Sequence, residues 1–305
     1  MNLSKCRFCS RQNLSADVTQ KNEDCPIEAS FLTALFALLA ATAWGSGDFT
    51  GGLAARRIGT FHTILIGYTI ELFASVFVAL ARLEKLPPAV DLMWGALAGL
   101  FVIVGFGSLL RGFTIGRMGI VAPVSAVLAA AVPVIFTALT KGFPRELQLL
   151  GFGLALVSIW MLSRPEPLGG RPAGVGMALL AGLGFGGFFT TLDQIGENAL
   201  FWPLVASRMT AFVLILAFAL VTRQQLIPPA FPVVLLTLNG VLGVAGTLFF
   251  LLATQNGRLD IAAVLGSLYS AVTAILAKLV TKENIARLQV VGMAVAVLAV
   301  ALITI

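Results

Sequence analysis

Long apolar runs separated by short polar connectors extend from about residue 30 to the end of the chain. A helix needs about 20 mostly apolar residues to cross a hydrocarbon core about 30 Å thick. Ten runs meet or approach that length, and the connectors between them carry Arg, Lys, Pro or Asp. The predicted spans are 30–49, 61–81, 92–112, 119–140, 147–163, 174–192, 200–222, 232–254, 261–280 and 287–305.

These runs predict helices rather than strands. Strands of an outer-membrane barrel alternate apolar with polar residues, and these runs do not alternate. Because lipid offers no water to backbone N–H and C=O groups, each span must satisfy those groups within itself, as a helix does. The chain is therefore predicted to be an all-α integral membrane protein with ten transmembrane helices and with the lipid bilayer as a partner.

The chain contains two copies of one sequence unit, about 141 residues apart. Aligned without a gap, Gly116–Gly151 and Gly257–Gly292 share ten identical residues in 36 positions. One residue out of that register, Gly47–Thr50 aligns with Gly187–Thr190, so the similarity spans each half. Each half is predicted to hold five helices.

The repeat predicts the domain organisation. A polar tail, 1–29, precedes the first five-helix repeat, 30–163; a linker, 164–173, leads to the second repeat, 174–305. Because five is odd, the second copy must enter the membrane upside down relative to the first. Two inverted repeats are a recurring plan among secondary transporters, which hold the substrate near the membrane midplane where the repeats meet.

Composition supports the membrane class and argues against nucleic-acid binding. Hydrophobic residues make up 58% of the chain and charged residues 11%, whereas soluble domains carry about 25% charged residues. The net charge is +6, but the basic residues are scattered at helix ends, where they meet headgroups. With the N-terminus inside, each side of the membrane receives nine Lys and Arg, so charge alone does not orient the protein.

The tail, Met1–Glu28, differs from the rest of the chain because it is polar throughout. It lacks the short charged start and the apolar run of a signal peptide. Cys6, Cys9 and Cys25 offer zinc three ligands, but a structural site needs four, and the only histidine, His62, follows the first span. We expect a disordered tail without metal; an over-extended start of the reading frame is the alternative.

Two charged residues lie in the middle of predicted spans. Glu71 is central in the second span and Arg208 in the seventh, and these spans are repeat equivalents. The repeat offset places Arg208 at position 67, one helical turn from Glu71, so the two groups should lie at similar depth. Charges inside spans are costly and often functional. Three interpretations of Glu71 and Arg208 remain. They form a site for a proton or a charged substrate, they form a structural ion pair, or each is hydrogen-bonded separately within the bundle.

Asp48, a third charge, closes the first span in the segment Trp44–Gly52. Trp44, Ser46 and Asp48 of this segment are candidates for the substrate pathway. A weakly solvated carboxylate beside Trp44 would bind a cation or a proton. An interfacial carboxylate in water is the alternative. The glycines of this segment do not have nucleotide-loop spacing, and no strand precedes them.

The ninth span has a polar face. Ser267, Ser270, Ala274 and Lys278 recur at steps of three and four residues, so they share one face of a helix. That face is predicted to line a passage. Lys278 either binds an anionic group there or extends to the headgroups from the end of the span, which we favour.

Small and helix-breaking residues predict close or irregular packing elsewhere. Pro123 and Pro133 interrupt the fourth span, and the carbonyls that they free can face a cavity. Two small-residue motifs, Gly95–Gly99 and Gly182–Gly186, favour close helix contact. Asn239, in the eighth span, is either pore-lining or a hydrogen-bonding group between helices.

Several of these features together resemble the EamA branch of the drug/metabolite transporter superfamily. They are the two copies of five helices, Trp44–Gly45 at the end of the first span, and the pattern Gly-x-x-x-x-x-Ala-Pro-x-Ser in Gly116–Ser125. The closing stretch Thr281–Gly292 is also similar to that family. The resemblance covers Ser30–Ile305.

The resemblance implies both termini in the cytoplasm and a central cavity lined by the first, third, fourth, sixth, eighth and ninth helices. It would leave Glu71 and Arg208 peripheral. The family's loop glutamate is matched by Glu283, whereas the first copy holds Gly142 there, so Glu283 is interpreted as structural. The pathway residues that the resemblance favours are Trp44, Asp48, Ser125, Asn239, Ser267 and Tyr269.

The expected function is secondary transport of a small organic metabolite or drug across a bacterial inner membrane, by alternating access of the two repeats. Export is the expected direction, with protons as the coupling ion through Asp48 or Glu71, and the unit is a monomer or a homodimer. The chain has no ATP-binding loop and no constellation of catalytic residues or cofactor ligands, which disfavours an intramembrane enzyme. A non-transporting scaffold or receptor is the other alternative.

Overall fold

A computed structural model of the chain describes most of the region after the tail. The described residues are 26–141, 146–162, 173–192, 194–196, 199, 201–228, 230–256, 262, 265–282 and 287–304. Within these residues the regular secondary structure is entirely helical. Cys6, Cys9 and Cys25 of the tail, which we expect to hold no metal, lie outside the described residues, as do Glu283 and most of the predicted linker.

Ten helices cover the described part of the chain, one for each predicted span. Their bounds are α1 Pro26–Ile58, α2 Thr60–Ala81, α3 Ala89–Ile115, α4 Met118–Lys141, α5 Glu146–Leu162, α6 Val175–Leu192, α7 Phe201–Thr222, α8 Val233–Asn256, α9 Tyr269–Val280 and α10 Arg287–Thr304. Most ends fall within a few residues of the predicted ones, but α1 continues to Ile58 instead of ending at 49, so Asp48 lies inside the helix rather than at its end. The turn between α1 and α2 is a single glycine, Gly59, with φ of 84°, a conformation that other residues rarely adopt.

The protein is a multi-pass membrane protein. Six helices are long and apolar enough to cross a bilayer, namely α1, α2, α3, α6, α7 and α8. Apolar segments of α4, α9 and α10 are shorter. Large apolar side chains face outward, as Phe73, Phe77 and Val221 do, each more than 70% exposed; such a surface is stable against lipid tails and unfavourable against water.

Packing between the two halves follows the repeat. Three contacts between the halves each have a repeat equivalent: α1–α8 corresponds to α6–α3, α1–α9 to α6–α4, and α2–α8 to α7–α3. The remaining helices, α5 and α10, pack on each other. Gly105 and Gly246, one repeat offset apart, show the same relationship at single residues. A side chain at Gly105 would meet Phe185 of α6, and one at Gly246 would meet Trp44 of α1.

The close helix contacts predicted from small residues are observed. A Cβ atom at Gly95 or Gly99 would collide with the backbone of Pro203 or Ser207 in α7. In the second half, a Cβ atom at Gly182 would lie 2.6 Å from the Ser125 carbonyl oxygen of α4. These glycines let α3 approach α7, and α6 approach α4, at backbone distance.

The ninth span departs from its prediction, because α9 begins at Tyr269 rather than near residue 261. Residues 265–267 are helical, but a turn at Leu268 separates them from α9, and the Leu268 N–H donates to the Leu265 carbonyl oxygen at 3.2 Å. Helix α1 abuts the start of α9, where a Cβ atom at Gly45 would lie 2.5 Å from the Tyr269 carbonyl oxygen. The first turn of α9 is therefore fixed against α1.

Candidate functional site

A cavity of about 70 Å³ lies between the two halves and is called the central cavity here. Seven helices, α1, α2, α3, α6, α7, α8 and α9, contribute to its wall. Its lining combines three charged residues, several aromatic rings and a few polar groups. The lining residues are Trp44, Gly47, Asp48, Tyr68, Glu71, Val102, Phe106, Phe185, Phe188, Phe189, Arg208, Asn239, Gly243, Thr247 and Tyr269.

Glu71 and Arg208 meet in this cavity. Arg208 Nε lies 2.6 Å from Glu71 Oε2, and both side chains are buried. The N–H bond does not point along this line, so the contact is an ion pair rather than a linear hydrogen bond. The similar depth predicted from the repeat offset is confirmed. The expectation that both residues would be peripheral is wrong, because α2 and α7 pack together and both reach the cavity.

Arg208 has further partners that fix its guanidinium group. Its Nη2 donates to Thr247 Oγ1 at 3.1 Å, and its Cζ lies 5.7 Å from the centre of the Tyr68 ring, within cation–π range. The Thr247 hydroxyl donates to the Gly243 carbonyl oxygen at 3.0 Å and receives the indole N–H of Trp44 at 3.4 Å. Arg208 thus joins α7 to α2 and α8.

Asp48 lies in the same cavity and is 9% exposed. Glu71 is close enough to interact with it electrostatically. Among the described residues, its carboxylate has no hydrogen-bond or ion-pair partner. The alternative of an interfacial carboxylate in water does not fit a side chain that is buried at the contact between the halves.

Asn239 fulfils both interpretations that its position allowed. It lines the central cavity, and its Nδ2 donates to the Gly47 carbonyl oxygen of α1 at 3.0 Å. A side chain at Gly51 or Gly67 would collide with the Asn239 amide. The amide therefore connects α8 to the α1 turn that carries Asp48.

Aromatic residues form much of the cavity wall, and sequence reasoning missed most of them. Trp44 and Phe189 have ring centres 6.1 Å apart, and Phe188 and Phe189 have centres 5.7 Å apart. Phe185 meets Tyr269 edge to face at 6.2 Å. Helix α6 contributes three of these rings, so it lines the cavity more extensively than its apolar sequence indicated.

The repeat alignment identifies several cavity-lining residues that the sequence analysis did not single out. Asp48 aligns with Phe188 in the second copy, and both line the central cavity. The same holds for Val102 and Gly243, and for Phe106 and Thr247, each pair one offset of 141 apart. The central cavity thus lies where equivalent positions of the two copies face each other, with Asp48 breaking the symmetry of the first pair.

A second cavity, called the α9 cavity here, lies between α4, α9 and α10 and measures about 320 Å³. Ser267, Ser270, Ala274 and Lys278 all line it, as their shared helix face predicted. Pro123 of α4 lines it too. Lys278 is exposed, which fits a side chain at the rim that extends away from the apolar wall.

Neighbouring residues of α9 line the two cavities. Tyr269 lines the central cavity, whereas its neighbour Ser270 lines the α9 cavity. Tyr269 packs with Ala126, which lines the α9 cavity, and with Leu268 and Trp44. The buried Tyr269 hydroxyl makes no hydrogen bond of standard geometry; Ser125 is its polar neighbour.

Two predicted pathway residues line neither of these cavities. Ser46 lies two residues from both Trp44 and Asp48, so it points to the other side of α1, as the 100° turn per residue requires. Ser125 is fully buried, and its hydroxyl donates to the Ala122 carbonyl oxygen at 2.8 Å. Its place in a pathway is therefore not supported by the geometry.

The described residues contain no cluster of three or more His, Cys, Asp or Glu side chains that would hold a metal ion. The three charges of the central cavity come from three different helices, α1, α2 and α7. The chemistry of the site is therefore that of a carboxylate, an ion pair and aromatic rings.

Comparison with known proteins agrees with this architecture. A solved crystal structure of a protein aligns with 88% of this chain and 95% of its own chain, with a TM-score of 0.60 and 15% identity, which shows a shared fold. The search of curated proteins gives no significant match. The model of the EamA-like transporter family matches twice, at residues 31–164 and 172–305. The chain therefore belongs to the EamA-like transporter family, with the family domain present twice.

Proposed function

We propose that the protein is a secondary transporter that moves a small organic molecule through the central cavity by alternating access of its two halves. The observation that carries this proposal is the placement of Asp48, Glu71 and Arg208 together in a cavity between the repeats. Ionisable side chains inside membrane helices are costly and mark substrate or proton pathways. Transporter folds built from repeats hold their substrates at such an interface.

The small size of the central cavity supports a mechanism in which the two halves of the protein move apart. Pockets for organic ligands measure about 300–1,000 Å³, whereas this cavity measures about 70 Å³. Binding of a cargo therefore requires the halves to separate around Asp48. The α9 cavity, at about 320 Å³, is lined by Ser270 and Ala126, the chain neighbour and a packing neighbour of Tyr269. In this proposal, displacement of Tyr269 joins the two spaces into one path.

Ten membrane crossings in two inverted five-helix repeats complete the proposal. The pairing of equivalent helices across the halves supports this arrangement. Both termini face the cytoplasm of a bacterial cell, the protein works in the inner membrane, and one chain forms the transport unit. Export coupled to protons through Asp48 is the expected direction and energy source.

The test is a pooled comparison of small metabolites in cells that lack the protein and cells that overproduce it. Metabolites are measured inside the cells and in the medium, with and without a proton uncoupler. We expect one compound to move outward, the uncoupler to abolish the movement, and Asp48→Asn to reduce it by about tenfold or more. Ser46→Ala, on the opposite side of the same helix, is the matched control. A broad panel without any shift, despite correct insertion, would contradict the proposal.

A further inference from the structure

We infer that the cargo of the central cavity is a small organic cation with an aromatic or apolar body, and that Asp48 is its counter-ion. This inference rests on the proposed transport function and names the chemical class of its substrate. It follows from the charge balance of the cavity, from the partners that Arg208 already has, and from the aromatic side chains in the cavity wall.

The charge balance leaves one carboxylate uncompensated. Glu71 and Arg208 neutralise each other across 2.6 Å. Asp48 is nine-tenths buried and has no hydrogen-bond or ion-pair partner in the described part of the chain. A buried charge without a partner is unfavourable, so the ionised cavity with its formal charge of −1 favours a ligand that supplies one positive charge.

An anionic cargo would need Arg208, whose Nε and Nη2 already have partners in the protein. Glu71 contacts its Nε, Thr247 accepts from its Nη2, and Tyr68 lies against its face. An incoming anion would also lie near the carboxylates of Glu71 and Asp48, which repel it. Among the described residues, the only other cation on either cavity wall is Lys278, which lines the α9 cavity.

The wall of the cavity matches an organic cation better than a metal ion. A hard metal cation such as Ca²⁺ takes six to eight oxygen ligands, and the described residues hold no metal-binding cluster. Aromatic rings instead attract ammonium groups through their negative faces. Trp44, Phe185, Phe188, Phe189 and Tyr269 all line the cavity that contains Asp48.

The broken repeat symmetry places this site on one side of the cavity. Asp48 in α1 stands where the second copy has Phe188 in α6, and both residues line the cavity. A cation with an apolar body therefore has one preferred orientation, with its charge toward α1 and its body toward α6. Asn239 supports the charged side by holding the α1 backbone at Gly47.

The first experiment is isothermal titration of the purified full-length protein with benzyltrimethylammonium. Benzyl alcohol and phenylacetate are the neutral and anionic probes of similar shape. We expect saturable binding of the cation, with the other two probes at least about tenfold weaker. Asp48→Asn should weaken cation binding by about tenfold or more, whereas Asp48→Glu and the control Ser46→Ala should retain it. Thermal unfolding of each variant checks that it is folded.

Three results would overturn the inference, two of them comparisons and the third an absence of binding. One is cation binding by Asp48→Asn as tight as that of the unchanged protein, and the other is tighter binding of phenylacetate or benzyl alcohol than of the cation. Absence of any cation binding also counts against it. The metabolite comparison tests the proposed function separately. Export of a neutral or anionic compound would support transport but contradict a cationic cargo. If no compound is exported, the result contradicts transport itself.

Discussion

Arg208 and Glu71 come from different repeats and form a buried ion pair with 2.6 Å between Nε and Oε2. Neither residue has a charged counterpart in the other copy, because the repeat offset sets Glu71 against Phe212 and Arg208 against Gly67. The pair therefore links the halves through α2 and α7. Its neighbours Thr247 and Tyr68 extend the link to a network around the central cavity.

Breaking this pair should destabilise the protein strongly. Removal of one partner of a buried pair leaves an uncompensated charge and costs about 3–5 kcal/mol. We expect Glu71→Gln and Arg208→Met each to lower the thermal unfolding temperature in detergent. The double variant should lose less than the sum of the two single losses, by about 1 kcal/mol or more. If the two losses simply add, Glu71 and Arg208 do not interact, and the proposed pairing is wrong.

Asp48→Asn should affect transport and spare stability. The carboxylate has no hydrogen-bond or ion-pair partner among the described residues, so its neutral isostere breaks no such contact. Because the substitution removes a buried charge, we expect an unfolding temperature equal to or above that of the unchanged protein. Transport should fall by about tenfold or more. A variant with full transport would place the pathway elsewhere.

Gly243→Ala should disturb the ion pair without touching its charges. A Cβ atom at Gly243 would collide with Glu71 Oε1, so the carboxylate that pairs with Arg208 must shift from its position. We expect a loss of about 1–3 kcal/mol in stability, as for overpacked cores, together with reduced transport. Gly153→Ala is the matched control, since its Cβ would meet nothing within 4 Å. Equal behaviour of the two variants would contradict the prediction.

Glu84 should act as a cap for α7 from the connector between α2 and α3. Its Oε2 accepts hydrogen bonds from the backbone N–H groups of Phe201 at 2.9 Å and Trp202 at 3.1 Å. A capping side chain contributes about 1 kcal/mol. We expect Glu84→Ala to lower the unfolding temperature and Glu84→Gln, which retains an acceptor, to lower it less. The exposed neighbour Lys85, changed to Ala, is the control; a comparable effect there would argue against capping.

The helices were predictable because lipid imposes a simple rule on the sequence. Each span must be apolar and helical over a fixed length, and the polar connectors mark its ends. The start of α9 was not predictable in the same way. The turn that ends at Leu268 contains Gly266, but a glycine inside an apolar span does not by itself predict that a helix is interrupted, and the close approach of Gly45 to Tyr269 is not visible in the sequence.

The candidate site was predictable where charge or repeat register pointed to it. Glu71 and Arg208 stand out as charges inside spans, and the offset brought them to one depth. The aromatic residues of α6 do not stand out in a sequence that is apolar throughout, because a ring facing lipid and a ring facing a cavity look alike. Ser46 and Ser125 were polar enough to suggest a pathway, but hydroxyl groups in helices are readily satisfied by their own backbone, as Ser125 is.

The most direct test of the central claim measures access to the central cavity from each side of the membrane. Val102 lines this cavity, and a single cysteine placed there, in a protein whose Cys6, Cys9 and Cys25 are changed to Ser, reports its exposure. Alternating access predicts that a membrane-impermeant maleimide labels this cysteine when it is added on either side of the membrane. The labelled protein retains Glu71 and Arg208, the ion pair between α2 and α7. Labelling from one side only, or from neither, would contradict the account.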